Sequence, residues 1–244
     1  MDKQTTINFF DMIYVINLET RGDRRKEINN QLLKISLSLS SKNVTLFKAI
    51  KPKDAGEFPS VGARGCFFSH LGVLKHSHFH QYKSILILED DVNFVANFNE
   101  KFNTFIANLD KENFDFLYGD YRIQNFEKVI TNSYVIVNSD VPIMLASFIA
   151  INGGVVEELI NYLEKMSERR YGDPLGGPMH VDGAYSWFRR EHKMSKTIVA
   201  TPPIGYQRSS QSDIYISKFK NSVPFMNLYR IIKNKFRASS KASL

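Results

Sequence analysis

The stretch Ser84-Ile85-Leu86-Ile87-Leu88-Glu89-Asp90-Asp91-Val92 decides how the chain is read. Its apolar run, Ile85 to Leu88, has neither the stripe of an amphipathic helix nor the alternation of a half-solvated strand. Bounded by polar residues, it reads as a strand buried on both faces, the pattern of a parallel sheet. Glu89, Asp90 and Asp91 then stand at the strand's carboxyl end, where open α/β sheets bind their ligands. Adjacent carboxylates repel one another, and a hard divalent cation relieves that repulsion; oxygen donors suit Mg2+ or Mn2+. A solvated acidic turn is the plainer alternative. The cation site is the preferred reading.

The composition agrees with one α/β domain: 244 residues, 43% hydrophobic and 23% charged, enough for a sizeable core. A single cysteine, Cys66, excludes an internal disulfide and fits a reducing compartment. Met1 to Asp11 carries no apolar run, so no signal peptide is expected. No stretch approaches the roughly 18 apolar residues of a membrane span. The net charge of +7 is unevenly placed. Lys218 to Leu244 holds seven basic residues and no acid; taking these from the 32 basic residues leaves 25, against 25 acids, in the body. The chain is thus divided into a body, 1–217, and a basic tail, 218–244. In the tail Pro224 can open a helix, with Phe225, Leu228, Tyr229, Ile232 and Phe236 on one face. Such a helix either lies on an anionic membrane surface or docks on the body. The neutral body argues against nucleic-acid binding.

Toward the N-terminus, Met12 to Leu18 is another buried-strand pattern, running into Glu19-Thr20-Arg21-Gly22-Asp23-Arg24-Arg25. Thr20 and Asp23 have capping-box spacing, and Ile28, Leu32 and Leu33 supply the next helix's apolar face. Arginines at a strand-to-helix turn suit an anionic ligand. Val44 to Ile50 is a further strand, and Lys51 to Gly65 a loop. Cys66 to Tyr82 reads as a helix with Phe67, Leu71 and Leu74 on one side. Of His70, His76, His78 and His80, only His76 and His80 share a face at i,i+4. They lack the zincin glutamate and are expected at the surface, with His70 packed and hydrogen-bonded.

Toward the C-terminus, Phe98 to Leu109 suggests a helix, and Phe114 to Tyr118 a strand ending at Gly119-Asp120. Asp120 is then either a second strand-end carboxylate or a turn residue. Tyr134 to Val137 and Leu145 to Ile151 are strands, and Val155 to Met166 is a helix. Tyr171 to Met179, rich in glycine and proline, reads as a mobile substrate-binding loop. It delivers His180-Val181-Asp182-Gly183, where Asp182 either N-caps the helix carrying Tyr185 and Trp187 or acts as a general base. Ile198 to Ala200 is a short late strand, and Tyr206 to Ile214 a dense polar segment.

Four stretches in this order resemble glycosyltransferase family 25, the lipooligosaccharide-biosynthesis glycosyltransferases. They are Val15-Ile16-Asn17-Leu18 with Arg21, Asp23 and Arg24; Gly65-Cys66-Phe67-Phe68-Ser69-His70-Leu71; Ile85 to Val92; and His180-Val181-Asp182-Gly183. Tyr206 to Ile214 is similar to the family's late motif. One departure is Ala63-Arg64, where the family often has a glutamate ahead of Gly65-Cys66. The resemblance implies a GT-A-like, Rossmann-related α/β fold, a central mostly parallel sheet flanked by helices. It implies transfer of a sugar, commonly galactose from UDP-galactose, with inversion to a β-linkage. Asp91, Glu89 and His180 are the expected ligands of Mn2+ or Mg2+. Asn17, Leu18, Arg21, Arg24, Ser69, His70, Glu89 and Asp90 are expected around the nucleotide sugar. Asp182 is the expected base, with Asp120 in reserve, and Tyr185 and Trp187 are expected to stack on the acceptor. The acceptor is expected to be a glycan, lipid-linked, met by a cytoplasmic enzyme peripheral to the inner membrane face. A metal-dependent phosphohydrolase acting on nucleotide sugars and a non-catalytic membrane-surface module are the competing classes.

Overall fold

The apolar run of the quoted stretch becomes an interior strand of a seven-stranded sheet. The computed structural model describes residues 9–109, 114–124 and 133–208. The sheet holds β1 (Met12–Asn17), β2 (Val44–Lys48), β3 (Ser84–Glu89), β5 (Phe116–Tyr118), β6 (Tyr134–Val137), β7 (Phe148–Asn152) and β8 (Thr197–Ala200). Their order is β2-β1-β3-β7-β5-β8-β6. β1 pairs in parallel with β2 and β3, and β5 with β8. β7 runs against β3 and β5, and β6 against β8. The sheet is therefore mostly parallel, with β7 and β6 reversed. Beside it, β4 (Val92–Phe94) and β9 (Gly205–Gln207) form an antiparallel ribbon.

Helices cover both faces, which is why β3 is buried from Ser84 to Leu88. The pleat sorts its side chains. Ile85 and Ile87 pack with Phe67, Leu71 and Leu74 of α2 (Val61–Phe79), Leu159 of α4 (Gly153–Glu168) and Phe188 of α5 (Val181–Glu191). Leu86 and Leu88 pack with Ile28 and Leu32 of α1 (Gly22–Leu33) and Phe102 of α3 (Phe98–Ala107). Each such fully buried aliphatic contributes about 1.5–3 kcal/mol. Burial on both faces thus follows from an interior position, and it survives the antiparallel pairing with β7.

Several expectations are corrected. α2 begins at Val61, inside the expected loop, because Ser60 N-caps it and accepts from the Ala63 N–H at 3.0 Å. Gly65 is a helical residue in close approach: a Cβ there would lie 2.6 Å from the Ile50 carbonyl oxygen. The helix stops at Phe79, short of Tyr82. The capping box does not form at α1, where Arg21 holds the N-cap position without a side-chain cap bond. Asp23 instead takes both Nε and Nη2 of Arg21, each at 2.9 Å. Leu33 is exposed while Ile28 and Leu32 are buried. β7 starts at Phe148, after Leu145 at φ +78°.

The glycine-rich loop is folded in. Gly176, Gly177 and Pro178 are buried, the Arg169 guanidinium donates to the Leu175 carbonyl and, at 2.9 Å, to that of Gly176, and a Cβ on Gly177 would strike the Arg170 carbonyl oxygen at 2.0 Å. His78 and His80 are exposed as expected, and His76 is half-buried with Nδ1 2.7 Å from the Tyr14 hydroxyl. The basic tail and the polar segment beyond Arg208 lie outside the described residues. Among the described residues no helix is long and apolar enough to cross a membrane.

Candidate active site

The same pleat separates the three acids. Glu89 follows Ile85 and Ile87 toward α2, where its Oε1 accepts from the Cys66 thiol at 3.3 Å and lies 3.3 Å from His70 Nε2. His70 Nδ1 in turn lies 3.0 Å from the Tyr185 hydroxyl. Asp90 turns toward α1. Its Oδ2 accepts from Asn17 Nδ2 at 2.7 Å and its Oδ1 from Arg24 Nη1 at 2.8 Å. Asp91 ends the turn before β4, buried at 7% exposure. Among the described residues its nearest side-chain donors are long, Arg24 Nη1 at 3.4 Å and Gln207 Nε2 at 3.4 and 3.5 Å. An ordinary N–H···O bond spans about 2.7–3.2 Å.

The electrostatics follow. Burial first, and then the Glu89 charge, push the Asp91 carboxyl up to about 7 against the pull of Arg24. Burial also raises Asp90, against Arg24 and Asn17. Burial works to raise Glu89 too, but the bond and charge of His70 and the Cys66 thiol hold it below its usual range. Burial and then Glu89 push the Cys66 thiol well up, with smaller contributions from Asp182 and Asp91. The Asp182 charge is therefore felt at the same thiol as the β3 acids.

The donor chemistry fits a hard cation at Asp91. A desolvated carboxylate without a short hydrogen bond has coordination capacity left, and Glu89 Oε2 has no hydrogen bond among the described residues. Asp90 differs: both its oxygens are committed to Asn17 and Arg24, so it positions the turn. His180 stands exposed at the N-cap position of α5 and is not among the groups that converge with Glu89.

The remaining expected residues divide. Leu18 is half-buried just past β1, and the Arg21 carbonyl accepts from Asn17 Nδ2 at 3.2 Å. Ser69 is fully buried and structural: it accepts from the Ile50 N–H at 2.8 Å and donates to the Gly65 carbonyl at 2.6 Å. It pins α2 to the end of β2 and is not available to a nucleotide. His70 and Tyr185 are fully buried, so Tyr185 does not stack on an acceptor. Asp120 is 1% exposed and accepts from the Ser147 hydroxyl at 3.0 Å, while the Ser147 carbonyl accepts from the Glu89 N–H at 2.9 Å.

Asp182 is in the first turn of α5, not at its cap. Its Oδ2 accepts from the Leu145 N–H at 3.0 Å and its Oδ1 from the Gly183 N–H at 2.8 Å. Leu145, at φ +78°, holds a conformation unusual for a branched side chain, and Asp182 fastens it. Asp182 lines a cleft of about 210 Å³ with Asp140, Ser186 and Trp187. Arg190 covers one face of the Trp187 ring at 4.1 Å, and Gly176 abuts it, so the ring is a wall of the cleft and not an open platform.

Sequence reasoning missed Gln207 and Arg208. The Arg208 N–H donates to the Asp91 carbonyl at 2.7 Å and its Nη2 to the Asp90 carbonyl at 3.1 Å. Nη2 also pairs with Glu27 of α1 at 2.6 Å. Their position at the start of the late polar segment was the available signal.

A family model described as "Glycosyltransferase family 25 (LPS biosynthesis protein)" matches residues 10–150, more than half of the chain. The chain belongs to glycosyltransferase family 25. The match spans β1 to β7 and so includes the turn from Asn17 to Arg24, α2 and the β3 acids. Mouse procollagen galactosyltransferase 2 is 27% identical over 152 residues, 54% of this chain and 24% of that protein. The human inactive glycosyltransferase 25 family member 3 is 25% identical over 137 residues, 49% of this chain and 23% of that protein. The chain thus spans about a quarter of the length of these curated relatives. The solved glycosyltransferase involved in glycosylation of the major capsid of PBCV-1 is similar in fold, with a TM-score of 0.52 at 14% identity, covering 82% of this chain and 93% of that one. The expected α/β fold class, with helices on both faces of a mostly parallel sheet, stands.

Proposed function

We propose that the chain is a metal-dependent glycosyltransferase that moves a sugar from a UDP-sugar onto a glycan acceptor with inversion. The observation that carries this reading is Asp91: a buried carboxylate lacking a short side-chain hydrogen bond among the described residues, close to Glu89 at a strand's carboxyl end. Since one relative is named inactive, the site and not membership bears the weight. Galactose is the proposed donor sugar because other relatives are named galactosyltransferases.

Asp91, with Glu89 beside it, would hold Mn2+ or Mg2+. A divalent cation there supplies charge neutralisation for the departing diphosphate. Arg24 and Asn17 fix Asp90 and so hold the turn in which Asp91 sits, while Arg21 borders the nucleotide's side of the β1–α1 turn. Asp182, oriented by two backbone N–H groups and open to the cleft, accepts the proton of the acceptor hydroxyl. Asp120, buried behind Ser147, is not used for this step. The cleft beside Trp187 receives the acceptor.

The proposed acceptor is a lipid-linked oligosaccharide of the lipopolysaccharide type, met at the cytoplasmic face of a membrane. The support is the basic, amphipathic sequence of residues 218–244 following the 1–217 body. Equal binding of anionic vesicles by the full chain and by a chain ending at Ser217 would remove that support. The transferase reading is tested by calorimetry with UDP and UDP-galactose, with and without Mn2+, on the wild type and Asp91→Ala. Binding that needs both Mn2+ and Asp91 is the expected result. Absence of UDP binding under every metal condition refutes it, and release of free phosphate without acceptor would make the protein a phosphohydrolase.

A further inference from the structure

Cys66 and His70 stand at i and i+4 on α2, one turn apart, facing the end of β3. Among the described residues, Cys66 Sγ, a His70 ring nitrogen and a Glu89 carboxylate oxygen lie within 4.8 Å of one another. The transfer reading uses Glu89 and leaves the thiol and the imidazole without a task.

Their spacing is that of metal ligands. Zinc bonds of about 2.3 Å to sulfur and about 2.0–2.1 Å to nitrogen and oxygen, at tetrahedral angles, set S···O near ~3.6 Å and N···O near ~3.4 Å. Both contacts to Glu89 Oε1 are 3.3 Å here. A charge-assisted imidazolium–carboxylate bond would close to about 2.7–2.9 Å. His70 is also held as a ligating histidine is held: its other nitrogen, Nδ1, meets the Tyr185 hydroxyl at 3.0 Å, and both rings are fully buried. Such an outer bond fixes the tautomer and aims the free nitrogen at the metal. The donors themselves, one thiolate, one imidazole and one carboxylate, select Zn2+ over Mg2+ or Mn2+.

We infer that Cys66, His70 and Glu89, through its Oε1, form a three-ligand zinc site beside the hard-cation site at Asp91. Binding displaces the Cys66 thiol proton to solvent and leaves the fourth tetrahedral position to water or another ligand.

The test is optical titration of the metal-free full-length protein with Co2+, followed by Zn2+. The chain has one cysteine, so a thiolate-to-cobalt charge-transfer band in the near ultraviolet can come only from Cys66. The expected result is that band together with intense tetrahedral d–d bands, saturating stoichiometrically and bleached by stoichiometric Zn2+. Tyr185→Phe should weaken Co2+ binding about 10- to 100-fold while keeping the band. Asp91→Asn should keep the spectrum in full, even where it abolishes UDP binding, which separates this site from the transferase reading. Co2+ saturation without the charge-transfer band, no Co2+ binding, or an undiminished band in Glu89→Gln overturns the site.

Discussion

Arg24→Met tests whether the buried Arg24–Asp90 pair organises the acidic turn. Nη1 lies 2.8 Å from Oδ1, with the two side chains 11% and 9% exposed. Removing one partner of such a pair costs about 3–5 kcal/mol, because the other charge stays buried. Two features place this case at the lower end. Asn17 still donates to Oδ2 at 2.7 Å, and Asp90 is already raised by burial, so it can escape by taking a proton. A loss of about 3 kcal/mol follows, equivalent to roughly 6–12 °C in Tm for a chain of this size. The pH dependence has a definite sign. A carboxyl whose folded pKa lies above its unfolded value binds more protons in the folded state, so stability falls as pH rises through that window. The deficit of Arg24→Met should therefore be largest near about pH 8 and shrink toward about pH 5. Urea denaturation of wild type, Arg24→Met, Asp90→Asn and the double variant measures it. The double variant should recover about 2 kcal/mol relative to the sum of the singles. A coupling below about 0.5 kcal/mol, or a deficit independent of pH, would refute the reasoning.

Because Asp91 is pushed up to about 7, Mn2+ binding at pH below that value must release its proton. Affinity should fall about 10-fold per pH unit below 7, read by calorimetry in buffers of different ionisation enthalpy. Asp182→Asn should lower turnover by about 10²–10⁴ while leaving UDP affinity within a few-fold, and equal losses in both would remove it as the base. Gly65→Ala should destabilise by about 1–3 kcal/mol in a thermal melt, since the added Cβ would stand 2.6 Å from the Ile50 carbonyl oxygen. At an ordinary helical position the same change stabilises by about 1 kcal/mol, so the sign alone decides.

Much of the sheet was legible because its signal is local. Apolar runs at Met12 to Leu18 and Ile85 to Leu88 carry their strand assignment in consecutive residues, and both are interior strands. Strand direction was not legible: β7 reads like any buried strand, yet it runs against both neighbours. The start of α2 was hidden by Gly65, whose role is a close approach to Ile50, a contact between residues distant in the chain. The site was legible in the same proportion. The β3 acids announce themselves, whereas Gln207 and Arg208 join them only through the β4–β9 ribbon. Tyr185 and Trp187 looked alike as helix aromatics, and only packing separates a buried partner of His70 from a cleft wall.

Three consecutive acids invite treatment as one cluster, and strand geometry forbids it. A period of two sends Glu89 to the α2 face and Asp90 to the α1 face, while Asp91 falls in the turn between them. Each then meets a different chemistry: a thiol and an imidazole, a guanidinium and an amide, and donors too distant to bind well. This separation explains why Asp91 is raised while Glu89 is lowered: His70 and the Cys66 thiol hold Glu89 ionised, whereas burial and the Glu89 charge raise Asp91 against the pull of Arg24. Inserting one residue between Leu88 and Glu89 would exchange these surroundings wholesale. Moving the tripeptide intact would therefore not move the site, because the site belongs to the two helices that the pleat addresses.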